Sequence, residues 1–222
     1  MTFYQRLVTE TIDGQMALAS TPQIQDGLAG RISRETYIAY LTEAYHHVKH
    51  TVPLMLEARA GMDAAHQRFV EALDDYIAEE TGHEHWILAD IKNCGGDAEA
   101  VRTGTPRPAT QAMTDYAYDY IRNANPMGFF GMVFVLEGTS VRLATQGAEA
   151  VARNLGLGPE CFSYLTSHGA LDIEHLTFFE NLVNEVEDPA DQAAIIEVAR
   201  AIFERFADVF RAIPHTREAA HA

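Results

Sequence analysis

The sequence predicts a single all-α domain, and three observations support this. Apolar residues recur with the 3.6-residue period of helices along most of the chain, and no convincing strand alternation appears. Proline, glycine and capping residues divide this pattern into about seven segments with short connections. The 222 residues, 47% of them hydrophobic, suffice for one sizeable core, and no stretch has a linker composition. We therefore expect one domain over residues 1–213 and a frayed tail over residues 214–222.

Start and stop signals place the individual helices. Ser33 and Asp63 are expected to cap two of them, and Pro53 is expected to kink the helix that contains it. Residues 20–30 and 102–108, rich in glycine, proline and threonine, are expected to be loops. The expected helices cover residues 3–18, 34–60, 64–93, 109–123, 126–155, 159–186 and about 187–213.

The charge and cysteine content narrow the function classes. Acidic residues outnumber basic ones by 32 to 16, for a net charge of −16, which argues against nucleic-acid and anionic-membrane partners. The two cysteines, Cys94 and Cys161, form no CxxC pair and no disulfide framework. No signal peptide is apparent at the N-terminus, and the apolar run PMGFFGMVFVL is too short to span a bilayer. We expect a soluble cytoplasmic protein.

The stretch SHGALDIEHLTFF carries three groups that can bind a metal or transfer a proton. His168, Asp172 and His175 stand at positions i, i+4 and i+7, so they share one face of a helix. The rest of that helix is largely apolar. Spacing alone leaves two interpretations open: a functional site, or the solvent-facing stripe of an ordinary helix.

A second pattern is the E-x-x-H pair Glu80 and His83. At i and i+3 on a helix, carboxylate and imidazole lie side by side, as they do in carboxylate-bridged di-iron bundles. Glu79, at i and i+4 with His83, is a competing choice. The motif is weak alone, because Glu43 and His46 form a second E-x-x-H in the same chain.

The third pattern is a lone carboxylate, Glu137, after a run of nearly uniformly apolar residues. A buried carboxylate is costly unless it is paired, so Glu137 is expected to meet a cation, to pair with Arg142 or to point outward. Arg142 is not at helical contact spacing, which favours a buried functional role.

The three patterns together give three carboxylates and three imidazoles on three helices. This set suits iron or manganese with positions left open for dioxygen, and it lacks the thiolates of iron–sulfur clusters.

In this order and on these helices, the motifs resemble the haem-oxygenase-like di-iron oxidases, also called iron-containing redox enzymes. Thiaminase II and pyrroloquinoline-quinone synthase share their fold superfamily. The resemblance covers about residues 36–206 and implies a seven-helix haem-oxygenase-like fold around two buried irons, with manganese as an alternative metal. It implies that Glu80, His83 and His168 mainly hold one iron and that Glu137, Asp172 and His175 mainly hold the other.

The resemblance also implies a reaction. Dioxygen would oxidise a small amino-acid-, amine- or fatty-acid-like substrate, with an external electron donor, and members of this fold often form homodimers. Glu80, Glu137 and Asp172 are the expected catalytic carboxylates, and which of them bridges the irons stays open.

Two other functions remain alternatives. One is a metal-free enzyme like thiaminase II or pyrroloquinoline-quinone synthase, and the other is a non-catalytic helical binding protein. The helix of Glu137 lacks the nucleophilic cysteine of thiaminase II, and the first helix lacks the proximal histidine of haem oxygenases. The complete ligand set favours the di-iron interpretation.

Four residues are weaker candidates for a substrate pocket. Tyr40, Glu43 and His47 recur at helical spacing on the second helix and are expected to face a cavity. Arg142 could hold a substrate carboxylate. Aromatic packing, surface histidines and a surface salt bridge are the alternatives for these positions.

Overall fold

The computed structural model describes the backbone of residues 1–215 and the side chains of these residues except 168–175. Every regular element in that range is helical, which confirms the all-α prediction. Single 3₁₀ turns lie at Ala64–His66, Pro126–Gly128 and Pro159–Cys161. The α-helices are α1 (Phe3–Glu10), α2 (Ile12–Ala19), α3 (Pro22–Leu28), α4 (Arg34–Val48), α5 (Thr51–Gly61), α6 (Gln67–Glu80), α7 (Glu84–Asn93), α8 (Ala98–Thr103), α9 (Pro108–Asn123), α10 (Phe129–Leu155), α11 (Ser163–Val183) and α12 (Pro189–Ala212).

The helices are more numerous than the seven expected, because three expected helices break and two further helices, α3 and α8, form where none was expected. Residues 34–60 are two helices, separated at Lys49 and His50, rather than one helix kinked at Pro53. Proline lacks an N–H and its ring collides with the carbonyl four residues earlier, which here belongs to Lys49. The preceding helix therefore ends at Val48, and Pro53 lies in the first turn of α5.

The expected helix over residues 64–93 is also wrong. It is divided at Thr81–His83, where Gly82 has a φ of +97°. Only glycine adopts this conformation at little cost, so the chain turns here and α7 begins directly after His83. Residues 3–18 divide at Thr11. Residues 20–30, expected to be a loop, contain α3, which begins with a proline at its first position.

The core is organised around α10, which packs mainly against α11 and α12. Gly131 permits the close approach to α12: a Cβ at this position would lie 2.3 Å from the carbonyl oxygen of Ile195 and 2.7 Å from the amide nitrogen of Ala199. The segment Pro126–Leu155 is long and apolar enough to cross a membrane by length and composition, yet 61% of its apolar window is buried inside the fold. Its apolar surface is therefore accounted for by the core.

The end of the described chain is held against α3 and α4. Gln23 donates to the carbonyl of Ile213 (3.3 Å), and the Thr36 hydroxyl donates to the carbonyl of Pro214 (3.0 Å). His215 Nε2 lies 2.7 Å from Asp26 Oδ2. We call residues 213–215 the C-terminal strap. Two residues of the expected frayed tail are thus bonded to the domain, and residues 216–222 lie outside the described part.

A histidine between two carboxylates joins the 3₁₀ turn before α6 to the start of α12. His66 Nδ1 lies 2.8 Å from Asp63 Oδ1, and Nε2 lies 3.0 Å from Asp191 Oδ2. Asp191 also accepts a hydrogen bond from Asn125. Burial lowers the pKa of His66, but the two carboxylates outweigh it, so the pKa is raised above its usual 6.5.

This raised pKa predicts a pH-dependent stability. The contribution of His66 is fully present below the unfolded pKa and is lost as pH rises through the higher folded pKa. We expect His66→Gln to flatten the fall in unfolding free energy between about pH 6 and 8, measured by urea denaturation. The control His85→Gln removes an exposed imidazole and should keep the native slope. Identical slopes in His66→Gln and the native protein would contradict this role.

Candidate active site

Two carboxylates from different helices line one internal cavity of about 80 Å³. Glu80 reaches it from the last residue of α6 and Glu137 from the middle of α10. His47 on α4, Ser140 on α10 and Tyr164 on α11 line it as well, and most of the remaining wall is apolar. We call this space the acidic cavity. It brings together two of the predicted metal ligands, Glu80 and Glu137, which are 57 positions apart in sequence.

Glu80 and His83 are in contact, although they do not share a helix as expected. His83 Nδ1 lies 3.0 Å from Glu80 Oε2, and both side chains are about nine-tenths buried. The turn at Gly82 brings the imidazole back to the carboxylate, and the His83 ring stacks on Trp86 with centroids 4.1 Å apart. His83 does not itself line the acidic cavity; it contacts Glu80, which does.

Glu137 is held by the helix that passes through the core. Phe129 to Val135, all buried, precede it on α10, and its Oε2 atom is shielded from solvent. Two carboxylates around one small, mostly apolar space repel each other in their ionised forms. A cation between Glu80 and Glu137 would balance these charges.

The other three predicted ligands lie on α11. His168, Asp172 and His175 belong to a helical segment of backbone, and their side chains lie outside the described residues. The start of α11 is anchored by Asp90 of α7, which is fully buried and accepts hydrogen bonds from the backbone amides of Ser163 (3.0 Å) and Tyr164 (2.8 Å) and from the Ser163 hydroxyl. Burial raises the pKa of Asp90, against the lowering effect of these hydrogen bonds. The helix after His83 therefore anchors the start of the helix that carries the remaining predicted ligands.

Two of the weaker pocket candidates lie elsewhere. Glu43 is buried and accepts hydrogen bonds from the Arg107 amide (3.1 Å) and the Thr110 hydroxyl (2.5 Å), which ties α4 to the start of α9. Arg142 donates to Gln15 Oε1 at 2.6 Å and lines a separate hollow next to α2. The structure does not bring either residue to the acidic cavity.

The other two candidates line a second, larger cavity of about 140 Å³. Tyr40 lies in its wall, and His47 lines both cavities. This second space lies between α3, α4, α10, α11 and α12, and we call it the apolar chamber. Burial raises the pKa of Tyr40, so its phenol is neutral.

Two residues of the acidic cavity were missed by the sequence reasoning, although a signal was present. Tyr164 stands four positions before His168 on α11, and Ser140 stands three positions after Glu137 on α10. Residues at these spacings share a helical face. Extending the periodicity of the predicted ligands by one turn would have identified both.

The donor set fits iron as far as the described side chains go. Among them, no group of three histidines, cysteines, aspartates or glutamates forms a ready metal site. Glu80 and Glu137 supply two carboxylates at the acidic cavity, and His83 supplies an imidazole against Glu80, which is the mixed oxygen and nitrogen chemistry that iron accepts. Three donors on residues 168–175 would have to complete the set.

Solved structures similar to this chain share its fold at low sequence identity. A domain of unknown function with a haem oxygenase-like fold from Shewanella denitrificans is 23% identical, with 95% of this chain and 89% of that chain covered and a TM-score of 0.83. A TenA homologue from Pseudomonas syringae is 11% identical (94% and 91% covered, TM-score 0.80). Haem oxygenase-1 from Synechocystis, in complex with haem, is 13% identical (95% and 91% covered, TM-score 0.75).

The sequence comparisons identify the family. No functionally curated protein matches the sequence. Residues 38–206, most of the chain, match the family described as iron-containing redox enzymes. The fold is haem-oxygenase-like, as the structural similarities require. The chain therefore belongs to the iron-containing redox enzyme family.

Proposed function

We propose that the protein is a non-haem di-iron oxidase or oxygenase that uses dioxygen to oxidise a small molecule. The observation that carries the proposal is the acidic cavity, where Glu80 and Glu137 meet in a small, largely apolar space with His83 against Glu80. Membership of a family described as iron-containing redox enzymes supports it. Bound ferrous iron would supply electrons and open coordination positions for dioxygen.

The chain's own residues would hold, orient and shield this centre. The contact between Glu80 and His83 keeps the imidazole beside the carboxylate, so both donors are positioned before metal arrives. Apolar side chains around the carboxylates exclude bulk water and strengthen electrostatic interactions inside the cavity. Those in the wall include Leu54, Met55, Phe129, Met132 and Val133. In the proposal one iron is held by Glu80, His83 and His168, and the other by Glu137, Asp172 and His175.

The proposal extends to partners and location. The proposed reaction takes a small substrate and dioxygen, and an external donor would supply the electrons. We propose a cytoplasmic protein that acts as a homodimer, without nucleic-acid or membrane partners. Acidic residues outnumber basic ones by 32 to 16, which argues against polyanionic partners.

Metal titration tests the proposal directly. We expect anaerobic addition of ferrous iron to give about two irons per chain, as in other di-iron carboxylate bundles. Exposure of the loaded protein to oxygen should then consume dioxygen, as followed with an oxygen electrode, and a parallel titration with manganese would identify the preferred metal. A protein that binds no iron under these conditions would overturn the proposal and leave the metal-free enzyme or the binding protein.

A further inference from the structure

The acidic cavity and the apolar chamber are adjacent and share part of their lining. Four residues, which we call the neck, line both: His47, Leu136, Ser140 and Tyr164. A molecule whose head lies beside Glu80 and Glu137 would pass these four residues to place its other end in the apolar chamber. The chamber extends along α10 at least from Ser140 to Gly147, which is seven residues or roughly 10 Å of helix.

The chamber is built to hold an uncharged group. Its described lining residues include no lysine, arginine, aspartate or glutamate. One wall is a continuous aromatic stack, in which Tyr40 lies on Phe210 (centroids 5.7 Å apart) and on Tyr37 (6.2 Å apart). Two of the polar groups in the wall are already bonded elsewhere, since the Tyr37 hydroxyl donates to the carbonyl of Cys161 and the Thr36 hydroxyl donates to the C-terminal strap. A polar ligand would find few partners here, whereas an apolar one loses nothing.

We propose that the apolar chamber binds an unbranched hydrocarbon chain of the substrate, whose polar head group lies in the acidic cavity. Only the placement of the head group rests on the proposed function. Binding of the hydrocarbon chain in the apolar chamber needs no metal. A dry apolar cavity of about 150 Å³ accepts a benzene-sized molecule, so this chamber of about 140 Å³ suits a chain of roughly six carbons.

The charges around the head group decide which probe to use. Neither cavity has a lysine or arginine among its described lining residues, so a carboxylate head group meets no protein cation. Without iron, Glu80 and Glu137 attract a cationic head group instead. Metal-free protein should therefore prefer n-alkylammonium ions to alkanoates of equal length, and iron loading should reverse this order.

One glycine offers a way to reduce the volume of the chamber. Gly147 lines the chamber on α10, and a Cβ there would meet only Leu28 Cδ2, at 3.9 Å. A larger side chain at this position extends toward another residue of the chamber wall and fills the space without a backbone collision. A helix interior also favours alanine or leucine over glycine, so these variants should fold.

The test is calorimetric binding of butyl-, hexyl-, octyl- and decylammonium to metal-free protein. We expect affinity to rise about fourfold per methylene until roughly six carbons are accommodated, and then to level off. In Gly147→Leu the affinity should level off at a shorter chain than in the native protein, and in Gly147→Ala at an intermediate length. The control Gln146→Leu adds an apolar side chain to the exposed side of the same helix and should leave the series unchanged.

Two results would overturn the inference: affinity independent of chain length in the native protein, or the same plateau in Gly147→Leu as in the native protein. Both are read without iron. If the protein binds no iron but its affinity still rises with chain length, the proposed oxidase is wrong and the hydrocarbon site stands. If the protein binds iron but its affinity does not depend on chain length, only the hydrocarbon site is wrong.

Discussion

Replacing Glu137 with glutamine is expected to lower iron binding from about two atoms per chain to at most one. The amide keeps the size of the side chain but loses the negative charge that a cation between Glu80 and this position requires. In the metal-free protein the same change removes a repulsion between two carboxylates, so stability should be unchanged or higher. The two effects have opposite signs, which separates a ligand from a residue that only supports the fold.

Thermal unfolding with and without ferrous iron measures both effects. At iron 100-fold above the dissociation constant, each site should add about 2.7 kcal/mol, or roughly 5–10 °C in Tm for a chain of this size. Glu137→Gln should lose at least one such increment. The control Glu149→Gln removes an exposed carboxylate from the same helix and should keep the full shift. An undiminished iron-induced shift in Glu137→Gln would show that Glu137 is not a ligand.

Replacing Gly131 with alanine is expected to destabilise the protein by about 2–3 kcal/mol, or roughly 4–12 °C in Tm. The added Cβ would lie 2.3 Å from the Ile195 carbonyl oxygen and 2.7 Å from the Ala199 amide, and backbone atoms cannot move aside as a flexible side chain can. Helices α10 and α12 must separate. Since Glu137 lies six residues further along α10, iron affinity should fall as well.

The matched control is Gly138→Ala on the same helix. A Cβ at Gly138 meets nothing within 4 Å, so only the better helix propensity of alanine remains, a gain of about 0.5–1 kcal/mol. Chemical denaturation of both variants gives the comparison. If Gly131→Ala matched Gly138→Ala in stability, the close approach of α10 and α12 would not need a glycine.

Local sequence was a good guide wherever the deciding interactions are local. The period of α9, α10 and α12 and the prolines at or just before their starts set these helices within a few residues of prediction. The breaks near Pro53 and Gly82 also have local causes, but the sequence does not say whether a proline kinks a helix or ends it. That choice depends on how the two halves pack.

The sequence predicted which types of residue form the candidate site better than it predicted where each residue lies in the fold. Glu80 and Glu137 were selected as carboxylates in helical patterns, and the fold puts them around one cavity. Glu43 satisfied the same E-x-x-H pattern, but its partners Arg107 and Thr110 come from a distant segment that no local spacing reveals. The pairing of Arg142 with Gln15 is equally non-local. The apolar chamber, which depends on five helices at once, has no sequence signature.

The C-terminal strap has a practical consequence for anyone who purifies this protein. Ile213 lines the apolar chamber, and the next two residues are bonded to Thr36 and Asp26. We expect a truncation after Ala212 to remove Ile213 from the wall of the chamber and an affinity tag fused close behind His215 to disturb these contacts. Met1, by contrast, is 89% exposed. Tags and immobilisation chemistry belong at the N-terminus, where they leave the interior volume as the native chain has it.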